Sequence, residues 1–239
     1  MKSPLTLVFD LDGTLVDTAP DLIAAANHVM ASIGRPPGIE AVLRPAVSHG
    51  ALAMIKAAIG PDTAGWPEER LHPLFSAFIA HYEAHIADTS RPYPGLIAAL
   101  DRAQARGHAL AVCTNKQERL ARQLLVALKL DGRFAAIAGR DTFGVYKPDP
   151  GHLTQTIGQA GGINTRAVMI GDSGVDVATA KAAGIPVVAV GFGYSDPPVA
   201  TFAPDHLIHH YDELDAALTS LTATGRFVTD RSNQPALPD

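Results

Sequence analysis

The sequence predicts an α/β fold, a doubly wound parallel sheet, on three observations. Short continuous apolar runs recur at wide intervals along the 239 residues, as in strands buried on both faces. Segments with helical periodicity lie between most of them, and such alternation places right-handed crossover helices on both sides of a Rossmann-like sheet. One long stretch, Asp17 to about Asp88, shows helical segments and no convincing strand, which predicts an inserted α-helical cap domain.

The first run, Leu5-Thr6-Leu7-Val8-Phe9, predicts the opening strand. The helical insertion follows, divided at Gly34-Arg35-Pro36-Pro37-Gly38, Gly60-Pro61 and Gly65-Trp66-Pro67, where glycine and proline punctuate the chain. It is too long for a loop and small for an independent domain, so it is placed over the carboxyl edge of the sheet. Pro92-Tyr93-Pro94-Gly95 opens the second α/β unit. Leu96, Ile97 and Leu100 predict one helical face, and Leu120, Leu124 and Leu128 form an i, i+4, i+8 stripe. The remaining strands are predicted at Leu110–Cys113, Ala135–Ala138, Ala167–Ile170 and Val187–Val190. From Thr222 the chain is polar, holds two prolines and lacks an apolar period, so it is expected to fray. The organisation expected is a core of 1–16 and 89–223, a helical cap of 17–88 and a flexible tail of 224–239.

Hydrophobic residues make up 47% and charged residues 18% of the chain, a composition that packs rather than remains disordered. A net charge of −5 argues against a broadly basic surface, so nucleic acid is not an expected partner. The single cysteine, Cys113, makes neither an internal disulfide nor a cysteine-rich zinc site. No apolar run reaches the roughly 18–20 residues of a membrane helix. The apolar stretch after Met1-Lys2-Ser3-Pro4 is broken by Asp10 and Asp12, unlike a signal peptide. The expectation is a cytoplasmic protein, monomeric or homodimeric, with no membrane partner.

Chemistry concentrates at predicted strand ends. Asp10 and Asp12, two apart after the first strand, point the same way in extended chain and repel unless a cation or proton intervenes. Gly13 permits a sharp departure of the backbone. Alone, Asp12-Gly13 is equally a simple turn signal. Thr114-Asn115-Lys116 follows the next strand, a hydroxyl and an amide ahead of a helix, suited to phosphate oxygens or to plain N-capping. Gly171-Asp172-Ser173-Gly174-Val175-Asp176 follows another strand; Asp172 alone reads as a turn residue and Asp176 as a helix-start acid. Lys147-Pro148-Asp149-Pro150 holds a lysine in a loop, where lysines are ordinarily solvated. Ligands of open α/β sheets bind outside the carboxyl ends of the strands, and acids clustered there call for a hard divalent cation such as Mg²⁺ with a phosphate oxygen.

At these residues the sequence resembles the haloacid dehalogenase-like hydrolase superfamily. Asp10-Leu11-Asp12-Gly13-Thr14-Leu15-Val16-Asp17 matches its first motif, Thr114-Asn115-Lys116 the second, Lys147-Pro148 the third and Gly171-Asp172-Ser173-x-x-Asp176 the fourth. Order and spacing also match, over nearly the whole chain except the tail. The resemblance implies that Asp10 takes the phosphoryl group as an aspartyl phosphate and that Asp12 serves as general acid and then base. It implies Mg²⁺ held by Asp10, the main-chain carbonyl of Asp12 and Asp172. Thr114 and Lys147 would bind phosphoryl oxygens, assisted by Asn115 and the Gly13 backbone. Asp176, with Ser173, would order the metal shell or Lys147 from behind. The family's dehalogenases use no metal and keep no acid at the place of Asp12, so a phosphate-transfer enzyme acting on a small phosphate ester is implied.

Asp12 through Leu22 is similar to the phosphoglycolate phosphatase group, whose cap carries R-x-x-V-G-x-G. Here the segment is Arg44-Pro45-Ala46-Val47-Ser48-His49-Gly50, with Ser48 where the signature has glycine. Phosphatases of N-acetylmuramic acid 6-phosphate have a serine there followed by small residues, and Gly50-Ala51-Leu52-Ala53-Met54 resembles that pattern. Phosphoglycolate therefore stands first, an amino-sugar or other sugar phosphate second, and a phosphosugar mutase third. A binding module without turnover has no use for paired acids. Arg44 and His49 are the candidates to face substrate from the cap; Arg44 equally fits an i, i+4 surface pair with Glu40. His81 and His85 predict a solvated helix face, His209-His210 a strand end, Cys113 a core residue and Trp66 an anchor for a cap loop.

Overall fold

β1 (Thr6–Phe9) is central in a six-stranded sheet because all four of its residues are apolar or small enough to be covered on both faces. The order is β5-β4-β1-β6-β7-β8, and every neighbouring pair is parallel. The other strands are β4 (Ala109–Cys113), β5 (Ala136–Ala138), β6 (Ala167–Gly171), β7 (Val187–Val190) and β8 (His206–Ile208). The structure, a computed structural model, describes residues 4–63 and 66–224. The expected tail, Thr224 apart, lies outside the described residues, as does Gly65.

Alternation along each strand builds two cores. Leu7, Phe9, Leu110, Val112, Val168 and Ile170 face α5 (Leu96–Ala105), α6 (Glu118–Ala127) and α9 (Leu214–Ala223). Val8, Ala111, Cys113, Ala167 and Met169 face α7 (Pro150–Gln159) and α8 (Gly174–Ala182). The doubly wound parallel fold is present. Its sixth strand, β8, escapes the apolar pattern because it is three residues long and opens on histidine; His209-His210 follow it directly. The periodicity predicts Ile97 on the buried face of α5, yet Ile97 is 39% exposed. The face is instead Leu96, Ala99, Leu100 and Ala103, since the 3.6-residue period carries i+3, i+4 and i+7 inward and i+1 outward.

Four helices, α1 (Ala19–Ser32), α2 (Glu40–Ala46), α3 (Ala51–Ile59) and α4 (Glu68–Ala84), lie between β1 and the rest of the sheet. Their buried residues, Val29, Met30, Ile55, Phe78 and Tyr82 among them, are continuous with the first of the two cores. Trp66 is half-buried against that core with Arg70 over its ring at 3.4 Å. The chain leaves and regains the sheet through an antiparallel ribbon that the sequence pattern does not reveal: β2 (Val16–Asp17) pairs with β3 (Arg91–Pro92). Asp17, expected within the strandless insert, therefore belongs to a strand. Two residues are too few to show a period.

Asp21, in the first turn of α1, ties the insert to the returning chain. Its carboxylate accepts from Ser90 N (2.7 Å), Ser90 Oγ (2.6 Å), Thr89 N (3.0 Å) and Thr89 Oγ1. Burial works to raise this carboxyl, but the hydrogen bonds from Ser90 and Thr89 prevail and hold it below its ordinary value. Cys113 is fully buried in β4, and burial pushes its thiol up to about 12. Among the described residues no helix is long and apolar enough to cross a membrane.

Candidate active site

Asp10 is the first residue beyond β1, and its N–H donates to Ile170 O on β6 at 2.9 Å. Strand pairing therefore fixes it beside Asp172, the first residue beyond β6. Thr114 leaves β4 in the same layer, its N–H on Ala138 O at 3.0 Å. The carboxyl ends of three adjacent strands thus supply Asp10, Thr114 and Asp172, as the topology of open α/β sheets leads one to expect.

A lysine lies beneath them. Lys147, 3% exposed, places Nζ 2.9 Å from Asp10 Oδ1 and donates to Asp176 Oδ1 at 2.6 Å. Burial opposes its charge, but Asp10 and Asp176 hold the ammonium above its usual range. Asp176 is fixed by the capping box of α8: its Oδ2 accepts from Ser173 N (3.1 Å) and Ser173 Oγ (2.6 Å). Asp172 accepts from Thr14 Oγ1 at 3.1 Å and from Tyr194 N at 2.8 Å.

Side-chain oxygens of Asp10, Asp172 and Asp176 all lie within 4.8 Å of one another. Burial pushes Asp10 up to about 6, with Lys147 opposing and Asp176 and Asp12 adding to the rise. Burial, then Asp176 and Asp10, likewise raise Asp172 well above the carboxylate range. Asp10 Oδ1 is buried without a directed hydrogen bond among the described residues. Three buried acids against one ammonium leave an excess of negative charge, and an all-oxygen donor set suits a hard cation such as Mg²⁺.

The other expected site residues are engaged as follows in the structure. The side chain of Asp12 stands apart from this cluster: Oδ1 accepts from Thr18 Oγ1 (2.7 Å) and Lys116 Nζ (2.8 Å). Gly13, whose backbone is expected to assist at the phosphoryl group, donates its N–H to Val16 O at 3.0 Å. A glycine is required here sterically, since at φ +80° a side chain would overlap the Asp172 carboxylate. Asn115 is committed to the Lys147 main chain, accepting from its N–H (3.0 Å) and donating to its carbonyl (2.9 Å). It secures the lysine loop. Thr114 Oγ1 accepts from Lys116 N at 3.2 Å, which leaves its own proton to donate.

A cavity of about 370 Å³ opens above Asp10, floored by Asp12, Thr114, Lys116 and Asp172 and walled from the insert by Val47, Met54, Phe75, Phe78 and Tyr82. His49 and Ser48 line it; Arg44 does not. The Arg44 guanidinium donates to Asp17 at 3.2 and 3.3 Å, lies 3.7 Å from Glu40 Oε1, and covers the Tyr194 ring at 5.5 Å. Lys147 lies behind Asp10, outside the lining.

Lys116, Tyr82 and Tyr194 escaped prediction. Lys116 sits within a quoted motif, but a lysine ahead of a helix reads as solvated. Tyr194 Oη accepts from Thr18 N (2.6 Å) and Ala19 N (3.0 Å) and donates to Asp17 Oδ1 (2.6 Å), joining the loop after β7 to the start of α1. No spacing rule announces such a contact across 176 residues.

Residues 7–190 match the family described as haloacid dehalogenase-like hydrolase. The phosphoglycolate phosphatase of Mesorhizobium japonicum is 49% identical over 218 residues, covering 91% of this chain and 96% of that protein. The phosphoglycolate phosphatase of Agrobacterium fabrum is 46% identical, covering 90% and 92%. A crystal structure from Haemophilus somnus, described as a "predicted phosphoglycolate phosphatase", superposes with a TM-score of 0.83 at 27% identity, covering 91% of this chain and 99% of that one.

Proposed function

The chain belongs to the haloacid dehalogenase-like hydrolase family, and from that membership we propose that it hydrolyses phosphate monoesters through Asp10, with phosphoglycolate as substrate. The observation that carries this reading is the buried group of Asp10, Lys147, Asp172 and Asp176 beneath a cavity at the strand ends. Relatives named phosphoglycolate phosphatase at 49% and 46% identity support this choice of substrate.

In this mechanism the Asp10 carboxylate attacks phosphorus while the bond to the leaving oxygen breaks. Asp12 gives that oxygen a proton. Water then attacks the phosphorus of the aspartyl phosphate, Asp12 takes the proton back, and Asp10 is restored as phosphate leaves. Thr114 Oγ1 donates to a phosphoryl oxygen, and Lys147 balances the charge on Asp10 from behind. The carboxylates of Asp10 and Asp172, with the Asp12 carbonyl, would hold Mg²⁺, which when bound neutralises phosphoryl charge. Asp176 and Ser173 keep Lys147 and the acids in register.

One observation favours a bulkier ester. Phosphoglycolate fills only part of the 370 Å³ cavity, whose insert wall is largely apolar, so N-acetylmuramic acid 6-phosphate or another sugar phosphate is the second reading. Phosphate release with Mg²⁺ from phosphoglycolate, N-acetylmuramic acid 6-phosphate and p-nitrophenyl phosphate decides between them. Phosphoglycolate is expected to give the highest kcat/KM. A higher value on the amino-sugar ester reverses the order, and isomerisation of a sugar phosphate without phosphate release points to a mutase.

A further inference from the structure

The phosphoryl machinery contacts the group that all phosphate monoesters share, so a phosphoglycolate enzyme needs a further positive or N–H-rich partner for the carboxylate, and a cation pairs with it most strongly. The cations on the cavity lining are Lys116, Arg140 and the imidazole of His49. Lys116 is committed, its Nζ on both oxygens of Asp12 at 2.8 and 3.0 Å. His49 carries a full charge only when protonated. Arg44 is held outside the lining by Asp17. Arg140 remains: it makes no ion pair with a carboxylate among the described residues, and its guanidinium covers the ring of Tyr146 at 4.1 Å.

Its position is defined by the sheet. Arg140 lies two residues beyond β5, and its N–H donates to Lys116 O at 2.9 Å, which fixes it beside the Thr114 loop. Gly139 before it packs on the start of α6 so closely that a side chain there would overlap the Glu118 main chain. In the order β5-β4-β1, Arg140 stands two strands from Asp10. That is about 10 Å between main chains, a span that an arginine side chain and a two-carbon phosphoester cover together. Two more lining groups, Tyr82 Oη and Ser48 Oγ, are buried with no hydrogen-bond partner among the described residues. The free cavity therefore carries unsatisfied polar groups beyond those that handle phosphate.

We propose that Arg140, supplied by the sheet rather than by the helical insert, is the specificity residue that pairs with the substrate carboxylate. This rests on the phosphoglycolate reading above. The test compares kcat/KM on phosphoglycolate with that on ethyl phosphate, which has a methyl group in place of the carboxylate. Wild-type protein, Arg140→Ala, Arg140→Lys and Arg44→Ala are assayed with Mg²⁺. Arg140→Ala is expected to lower the ratio about 10–100-fold, mainly through KM, as loss of a charged hydrogen bond does. Arg140→Lys should recover part of it, and Arg44→Ala should stay within about threefold of wild type. A wild-type preference that survives in Arg140→Ala, or that is lost in Arg44→Ala instead, overturns the assignment while leaving the substrate reading intact. A wild-type enzyme with no preference for phosphoglycolate overturns both.

Discussion

Lys116 Nζ grips the Asp12 carboxylate, 2.8 Å from Oδ1 and 3.0 Å from Oδ2, while lying 4.6 Å from the centre of the Tyr82 ring. Burial opposes the lysine charge, yet Asp12 holds the ammonium above its usual range. The proton carrier of the proposed mechanism is thereby oriented by a cation that itself rests on the helical insert. Lys116→Met is expected to lower kcat roughly 10–100-fold with a smaller change in KM, because the acid–base group loses its alignment. Steady-state kinetics on phosphoglycolate and p-nitrophenyl phosphate checks this; an unchanged kcat on both removes the role.

The Asp21 clamp predicts a pH dependence of stability. Its folded-state carboxyl lies below the ordinary value of 3.8, so its contribution is complete above that value and is lost as pH falls through the lower folded one. Asp21→Asn should therefore destabilise the protein by about 1–3 kcal/mol at neutral pH. The difference from wild type should stay level from pH 7 to pH 5 and shrink below about pH 4. Urea midpoints across that range measure it, and a difference that grows on acidification contradicts the sign.

Gly13 and Gly193 both press on Asp172, and a side chain at either would overlap its carboxylate. Gly13→Ala adds the strain of φ +80°. Gly13→Ala is expected to cost about 1–3 kcal/mol of stability and to depress turnover at least tenfold. Gly193→Ala shifts Asp172 without the strain, so activity should suffer more than thermal stability. Melting curves with parallel assays distinguish the two patterns.

Removing divalent cations should abolish phosphatase turnover, because the buried acids are left to repel one another. By the same repulsion, Mg²⁺ is expected to stabilise the fold. At a hundredfold excess over Kd the gain is about 2.7 kcal/mol, or roughly 5–10 °C in Tm. Asp172→Asn should diminish that shift. Full turnover in excess chelator, or a Tm indifferent to Mg²⁺, counts against the metal site.

Much of the site was legible because its residues sit where strands end, and strand ends follow from apolar runs. Asp10, Thr114 and Asp172 are placed by that logic alone. What the sequence does not show is where a side chain or N–H is already engaged. Asn115 and Gly13 have the right identity for binding phosphate, but Lys147 and Val16 occupy them. Arg44 has the charge, but it sits in the last turn of α2 with its guanidinium on Asp17. Arg140 carried no motif, since Gly139-Arg140-Asp141 reads as a turn. The β2–β3 ribbon shows no pattern for want of length, and β8 is signalled only by the strand end expected at His209-His210, because periodicity needs more residues than they contain.

The ribbon has a bearing on how such a protein can change. Val16 and Pro92 are pairing partners, so the helical layer begins and ends at two points no farther apart than the feet of a hairpin, about 5 Å. Any segment with similarly close ends could be exchanged there without altering the register of the main sheet. Length is a weak constraint on that exchange, since doubling a loop costs only about 0.6 kcal/mol of closure entropy. The layer that walls the cavity is thus free to diversify, or to be replaced by design, while the strand ends that carry Asp10, Thr114 and Asp172 stay as they are.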